Sequence, residues 1–319
     1  MNNMLEKMNL LGVVPVVVLD DAKAAVPLAK AMSEGGVPCA EVTLRTAAGL
    51  DSIAAMAAMG EGMIVGAGSV MNLDQCKDAL SAGAQFIVSP GFNAKVVEHC
   101  VERDIAVLPG CVTPTEIMAA MELGLGTVKF FPANVYGGLS AMKALNGPFP
   151  KMKFIPTGGV NAANLAEYLA APFIQAVGGS WLCAKADIAA GSFDKITALC
   201  QEARQAVLGF EVAHIGINTP DKDASLAVCK SLNEAFGLPI KEGNSSNFVS
   251  PAIEVMNSQY LGVNGHIAIR TNSIPRALAE LESKGFQADQ STAKFKGDKM
   301  TAIYLKQEMG GFAIHLLQK

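Results

Sequence analysis

Lys129 stands inside the apolar run Thr127-Val128-Lys129-Phe130-Phe131-Pro132, an unusual place for an ammonium. A lysine there either extends its charge to the rim or is desolvated, and desolvation favours the free amine that attacks a ketone to form a Schiff base. The plainer alternative puts the side chain on the outer, helix-facing side of a strand. A second run, Glu41-Val42-Thr43-Leu44-Arg45-Thr46, carries a carboxylate and a guanidinium. These two can act as base and carboxylate clamp, or pair with each other as a structural cap. Two glycine-rich stretches, Pro156-Thr157-Gly158-Gly159-Val160 and Val177-Gly178-Gly179-Ser180-Trp181, offer backbone N–H groups of the kind that cradle a phosphate. Three of the four histidines, His214, His266 and His315, fall in related contexts near the C-terminus, whereas His99 reads as a surface or packing residue of a helix.

Elements able to position these groups follow from the hydrophobic pattern. From Leu11 to about Val207, short β-branched runs alternate with Ala-rich helical stretches. Strands are expected at Gly12–Leu19, Cys39–Leu44, Met63–Gly66, Gln85–Val88, Ala106–Pro109, Thr127–Phe131, Lys153–Pro156 and Ile174–Val177. Helices are expected between them at Ala22–Ser33, Leu73–Ala82, Asn93–Glu102, Pro114–Leu123 and Asn161–Leu169. Strand–helix units repeating about every twenty to twenty-five residues predict an α/β fold, a (β/α)8 TIM barrel, in preference to a doubly wound open sheet. In such a barrel the strand ends and the loops after them carry the chemistry, which is where Glu41, Arg45, Lys129 and both glycine pairs fall.

After Gly209 the pattern changes and then repeats. Ala213-His214-Ile215-Gly216-Ile217-Asn218-Thr219 recurs as Gly265-His266-Ile267-Ala268-Ile269-Arg270-Thr271. Each copy leads to a helix (Ala224–Phe236, Ile274–Lys284) and then to strands closing on Ala252-Ile253-Glu254-Val255 and Ala313-Ile314-His315-Leu316. This predicts a smaller α+β domain of two βαβββ modules, residues 209–319, after a barrel of residues 1–208.

Composition narrows the function classes. Half of the 319 residues are hydrophobic, 17% are charged and the formal net charge is −4, which argues against a nucleic-acid surface and against a disordered chain. No run is long and apolar enough for a membrane span, and the first residues lack the plan of a signal peptide. Seven scattered cysteines without a Cys-x-x-Cys pair read as reduced thiols of a cytoplasmic protein.

Taken together, several runs in the barrel carry a resemblance. They are Glu-Val-Thr-Leu-Arg-Thr at 41–46, Gly-Ala-Gly-Ser-Val at 66–70, Ser-Pro-Gly at 89–91, Lys-Phe-Phe-Pro-Ala at 129–133, Asn-Gly-Pro-Phe at 146–149, Pro-Thr-Gly-Gly at 156–159 and Gly-Gly-Ser-Trp at 178–181. From about Leu11 to Val207 the chain resembles the class I 2-keto-3-deoxy-6-phosphogluconate (KDPG) and 4-hydroxy-2-oxoglutarate (KHG) aldolases. The resemblance implies Lys129 as Schiff-base nucleophile, Glu41 as general acid/base and Arg45 as clamp on the pyruvyl carboxylate. It implies that Ser69, where the family usually has threonine, hydrogen-bonds the same carboxylate. Pro90 and Phe131 would wall the pyruvyl pocket, Thr157 would contact the C4 hydroxyl, and Gly158, Gly159, Gly179 and Ser180 would hold the phosphate. It further implies cleavage to pyruvate and an aldehyde without any metal, a small-molecule substrate, and a homotrimer. The alternative is a phosphate-binding isomerase or synthase without covalent chemistry.

The tail resembles the glyoxalase-like vicinal-oxygen-chelate superfamily. By that likeness His214, Glu254, His266 and His315 form a set for zinc, nickel or iron, with His315 in place of the usual glutamate. The alternatives are a relic of the fold or a domain recruited for oligomer contacts.

Overall fold

A computed structural model describes residues 1–60 and 62–319. The chain divides into two compact units, Met1–Val207 and Leu208–Lys319.

The first unit holds eight short strands: β1 (Val13–Val17), β2 (Cys39–Thr43), β3 (Ile64–Gly68), β4 (Phe86–Val88), β5 (Ala106–Leu108), β6 (Thr127–Phe130), β7 (Lys153–Pro156) and β8 (Val177–Gly179). Six run side by side in the order β5-β4-β3-β2-β1-β8, and β6 pairs with β7. All these pairings are parallel. Bridges Gly110–Lys129 and Thr157–Gly178 tie the β6–β7 pair to the ends of the six-stranded sheet. The sheet is therefore curled into an α/β barrel-like domain rather than opened flat.

Alternation along β2 decides which side chains enter the interior. Ala40 and Val42 join the large outer core beneath the helices, while Cys39 packs inside with Val14, Phe86, Leu108 and Ile155. Glu41, two residues from Cys39, shares that inward face. Helix starts follow strand ends on side-chain caps: Asn72 receives the Gln75 N–H, Asn93 the Val96 N–H, and Thr113 forms a capping box with Glu116 ahead of Pro114. The helix Asn2–Leu11 was not expected from the pattern; its Met8 plugs the interior cluster.

Three expected elements differ. β8 begins at Val177 and not Ile174, because Ile174 makes only an isolated bridge and the pairing with β1 runs through the glycines. The helix expected from Asn161 begins at Leu165, since the Asn161 and Asn164 carboxamides accept the Ala163 and Asn161 N–H groups and hold the segment in turns. Ala22–Ala24 forms a 3-10 turn before the helix Ala25–Glu34.

The second unit contains β9 (Glu211–Ile217), helix Lys222–Phe236, β10 (Ile240–Lys241), β11 (Ser246–Val249) and β12 (Ile253–Met256). Then follow β13 (Gly265–Thr271), helix Ile274–Ser283, β14 (Ala288–Lys296), β15 (Lys299–Met309) and β16 (Phe312–Gln318). One sheet carries all eight strands in the order β10-β11-β12-β9-β13-β16-β15-β14. Each half thus has the sequence βαβββ and the same internal order, joined where β9 meets β13 antiparallel. All seven cysteines are free and buried, six in the first unit and Cys229 in the second. Among the described residues no helix is long and apolar enough to cross a membrane.

Candidate active site and a candidate metal centre

Lys129 on β6 and Glu41 on β2 meet inside the first unit. Lys129 Nζ donates to Glu41 Oε1 at 2.9 Å and Oε2 at 3.3 Å, with both residues buried. These strands are not neighbours, so only a path through the interior joins them, and the outer-face alternative for Lys129 falls away. The pairing of Glu41 with Arg45 falls away too: Arg45 is exposed in the turn after β2, and no carboxylate pairs with it among the described residues. A buried ion pair survives desolvation only with close geometry and hydrogen bonds, and this one has both. The Phe131 ring sits beside it, its centroid 5.3 Å from Lys129 Nζ.

In the second unit the sequence-predicted set converges on one face of the sheet. Glu254, His214, His266 and His315 come from β12, β9, β13 and β16, four consecutive strands. His214 Nε2 and His266 Nε2 are 3.1 Å apart, and Glu254 Oε2 lies 3.0 Å from the first and 3.1 Å from the second. One donor atom from each of the three histidines falls within 4.8 Å of the others, and all three residues are buried. His315 Nε2 has no hydrogen-bond partner, which is uncommon for a buried polar atom. Burial, with His266 and His214 beside it, pulls His315 down to about 3, so its ring is neutral. Burial alone would raise the Glu254 carboxyl. Hydrogen bonds with His214, His266 and Ser246 outweigh it and hold Glu254 well below the usual carboxylate range. Three neutral-capable imidazoles and one carboxylate, gathered with an unpartnered ring nitrogen, form a donor set that fits a divalent ion.

A family model described as KDPG and KHG aldolase matches residues 4–199. The chain belongs to that family. It is 46% identical over 202 residues to the 2-dehydro-3-deoxy-phosphogluconate aldolase of Treponema pallidum, covering 63% of this chain and 96% of the relative. It is 44% identical over 191 residues to the KHG/KDPG aldolase of Escherichia coli K12, covering 60% and 90%. Among solved structures, the KDPG aldolase of Legionella pneumophila, with pyruvate captured as a covalent carbinolamine, aligns with a TM-score of 0.60 at 35% identity. That alignment covers 62% of this chain and 97% of the other.

The remaining expected residues of this aldolase sit at strand ends or just beyond them. Ser69 follows β3 with a left-handed φ of 58°, a conformation that non-glycine residues seldom hold outside functional turns. Pro90 lies two residues past β4. Thr157 follows β7, buried, with its hydroxyl unpartnered. Gly158 and Gly159 take φ of 93° and 85°, the conformational reason for the glycine pair there. Gly179 ends β8, and Ser180 beyond it is exposed. One residue went unremarked in the sequence. A Cβ at Gly68, opposite Thr43 on the next strand, would overlap the Glu41 carboxylate, so this glycine leaves Glu41 its space. Its place inside Gly66-Ala67-Gly68-Ser69-Val70 was the available signal. In the tail, Ser246 on Glu254, Phe248 edge-on to His214 and Tyr304 stacked on His315 at 4.6 Å were also unmarked. Single polar or aromatic positions in a strand carry no pattern that would single them out.

Proposed function

We propose that Lys129 is the nucleophile of a class I aldol cleavage and that Glu41 moves its protons. The first unit is a lyase that cleaves 2-dehydro-3-deoxy-phosphogluconate to pyruvate and glyceraldehyde 3-phosphate; 4-hydroxy-2-oxoglutarate, giving pyruvate and glyoxylate, is its second substrate. The observation that carries the assignment of residues is the buried Lys129–Glu41 pair, reached from two strands that are not neighbours. We read that unit as a closed (β/α)8 barrel, which the two bridges to β6 and β7 support.

Glu41 takes the ammonium proton of Lys129, and the free amine adds to the C2 ketone. Glu41 returns the proton to the carbinolamine hydroxyl, which leaves as water to give an iminium ion that acts as electron sink. Glu41, directly or through one water, takes the C4 hydroxyl proton. The C3–C4 electron pair then moves into the enamine as the aldehyde leaves. Protonation at C3 and hydrolysis of the imine release pyruvate and return Lys129 to Glu41. Arg45, which pairs with no carboxylate among the described residues, clamps the pyruvyl carboxylate with Ser69. Phe131 and Pro90 wall the pocket, and the Thr157 hydroxyl meets the C4 hydroxyl. Gly158, Gly159, Gly179 and Ser180 receive the phosphate in the loops after β7 and β8, the usual phosphate position of such barrels. The reaction as written asks nothing of a metal. We read the assembly as a homotrimer from the family likeness; exposed Met118, Met121, Val135 and Tyr136 are apolar side chains available to an interface.

The test is borohydride reduction in the presence of pyruvate, followed by peptide mass mapping. A reduced pyruvyl adduct on Lys129 is expected. No adduct, with an active enzyme, would favour the non-covalent isomerase or synthase reading.

For the second unit we read a glyoxalase-like module that holds zinc, nickel or iron on His214, Glu254, His266 and His315. The repeated βαβββ order and the convergence of the four side chains support it. When bound, such an ion supplies Lewis acidity to an oxygen ligand. Elemental analysis should find close to one divalent ion per chain.

A further inference from the structure

The register of the second sheet shows how its four donors are arranged. Glu254 on β12 and His266 on β13 both lie directly opposite Gly216 of β9, one on each side. His214 on β9 and His315 on β16 both lie opposite Ala268 of β13. Each pair of donors therefore straddles one residue of the strand between them, and those two residues are repeat-equivalent positions. Strands two apart are separated by about 9.5 Å, twice the ordinary spacing. Yet Glu254 Oε2 and His266 Nε2 close to 3.1 Å. They do so across the backbone of Gly216, where a Cβ would overlap the His266 ring at Cε1, Nδ1 and Nε2. The pair that straddles Ala268 consists of two imidazoles. His214 and His315 have ring centroids 5.6 Å apart, and His315 Nε2 remains unpartnered.

We propose that Gly216 is the positioning residue of the candidate metal centre: its missing side chain lets His266 lie over β9 and bring its Nε2 into one triangle with His214 and Glu254. The inference rests on the metal reading given above. Gly216 touches no ion itself and acts through the His266 ring. The equivalent position on β13 carries a methyl, at Ala268, so the two repeats differ at this point by one side-chain carbon. A sheet stabilised by small residues in general would be indifferent to which of the two positions gains or loses a methyl.

The test uses the full-length chain, stripped of metal and titrated with cobalt(II), read by retained ion per chain and by the visible cobalt spectrum. Gly216→Ala is expected to weaken uptake by about 10–100-fold, the usual effect of disturbing the support of a metal ligand. Ala268→Gly is expected to stay within about twofold of the parent chain or to bind more tightly, on the same scale. A parent chain that takes up neither cobalt nor zinc overturns the metal reading, and this inference with it. A parent chain that binds, with a folded Gly216→Ala that binds equally well, overturns the role of Gly216 alone, as does an Ala268→Gly that loses as much as Gly216→Ala. If Gly216→Ala lowers the melting temperature, the double variant Gly216→Ala/His266→Ala should match His266→Ala alone. A double variant that stays less stable would mean that the methyl strikes something other than the imidazole, and would likewise overturn the proposal.

Discussion

The two units gather their polar groups by opposite routes. In the barrel-like unit, Lys129 and Glu41 are 88 residues apart and sit on strands that never touch. Their meeting depends on the curvature of the whole sheet. In the second unit His214, Glu254, His266 and His315 occupy matched positions of two repeats on four adjacent strands, and local register alone brings them together. A site made by closure is sensitive to everything that shapes the ring. A site made by register is sensitive to the residues between its strands.

The largest test of this contrast is removal of the nucleophile. Lys129→Ala should abolish aldol cleavage, and Lys129→Arg should do no better, because a guanidinium forms no imine. Circular dichroism should show both chains folded, the alanine variant less stable because Glu41 keeps its burial and loses its partner. Near-normal cleavage by the alanine variant would break the assignment. Next, His214→Ala combined with His266→Ala should release the ion of the second unit and leave aldol turnover unchanged. A parallel fall in turnover would show that the two sites are not separate. Glu41→Gln should still allow pyruvate to be trapped on Lys129 while slowing cleavage by roughly 10²–10⁴-fold, the range for a lost proton-transfer group. Arg45→Ala should act mainly on KM, raising it by about 10–100-fold, as expected for loss of a charge-assisted contact of roughly 1.5–3 kcal/mol. Equal loss of trapping in Glu41→Gln and Arg45→Ala would mean that base and clamp are misassigned. The smallest effect belongs to the scaffold. Thr113→Ala removes the capping box with Glu116 and should cost about 1 kcal/mol, a few degrees of melting temperature, with KM unchanged.

The same contrast explains what could be read from the sequence. The barrel-like architecture was legible because parallel strands buried on both faces leave continuous apolar runs, as at Val13–Val17 and Phe86–Val88. The last strand was misplaced because Val177-Gly178-Gly179 has no β-branched alternation to announce it. Helix Asn2–Leu11 was missed because its polar face and weak cap resemble an ordinary terminus. At the site, the residue types Lys129, Glu41 and Arg45 stood out, but not which of them pair. Arg45 is close to Glu41 in the chain, yet Glu41 looks inward along β2 to Lys129 while Arg45 has already left the strand. In the second unit the repeat predicted which histidines come together. It could not show what Gly216 makes room for, since the overlap of a Cβ there with the His266 ring appears only when the neighbouring strands are in register.

The seven buried thiols provide a clock for each unit. A thiol in a closed core reacts with an alkylating reagent only when its surroundings open, so its labelling rate reports local unfolding. Six of these groups lie in the first unit; the seventh, Cys229, lies on helix Lys222–Phe236 against Val249 and Val255. Pulse alkylation with mass readout can therefore time the opening of the catalytic unit and of its companion in a single unmodified chain. Adding a divalent ion should slow the Cys229 clock and leave the other six running at their own pace.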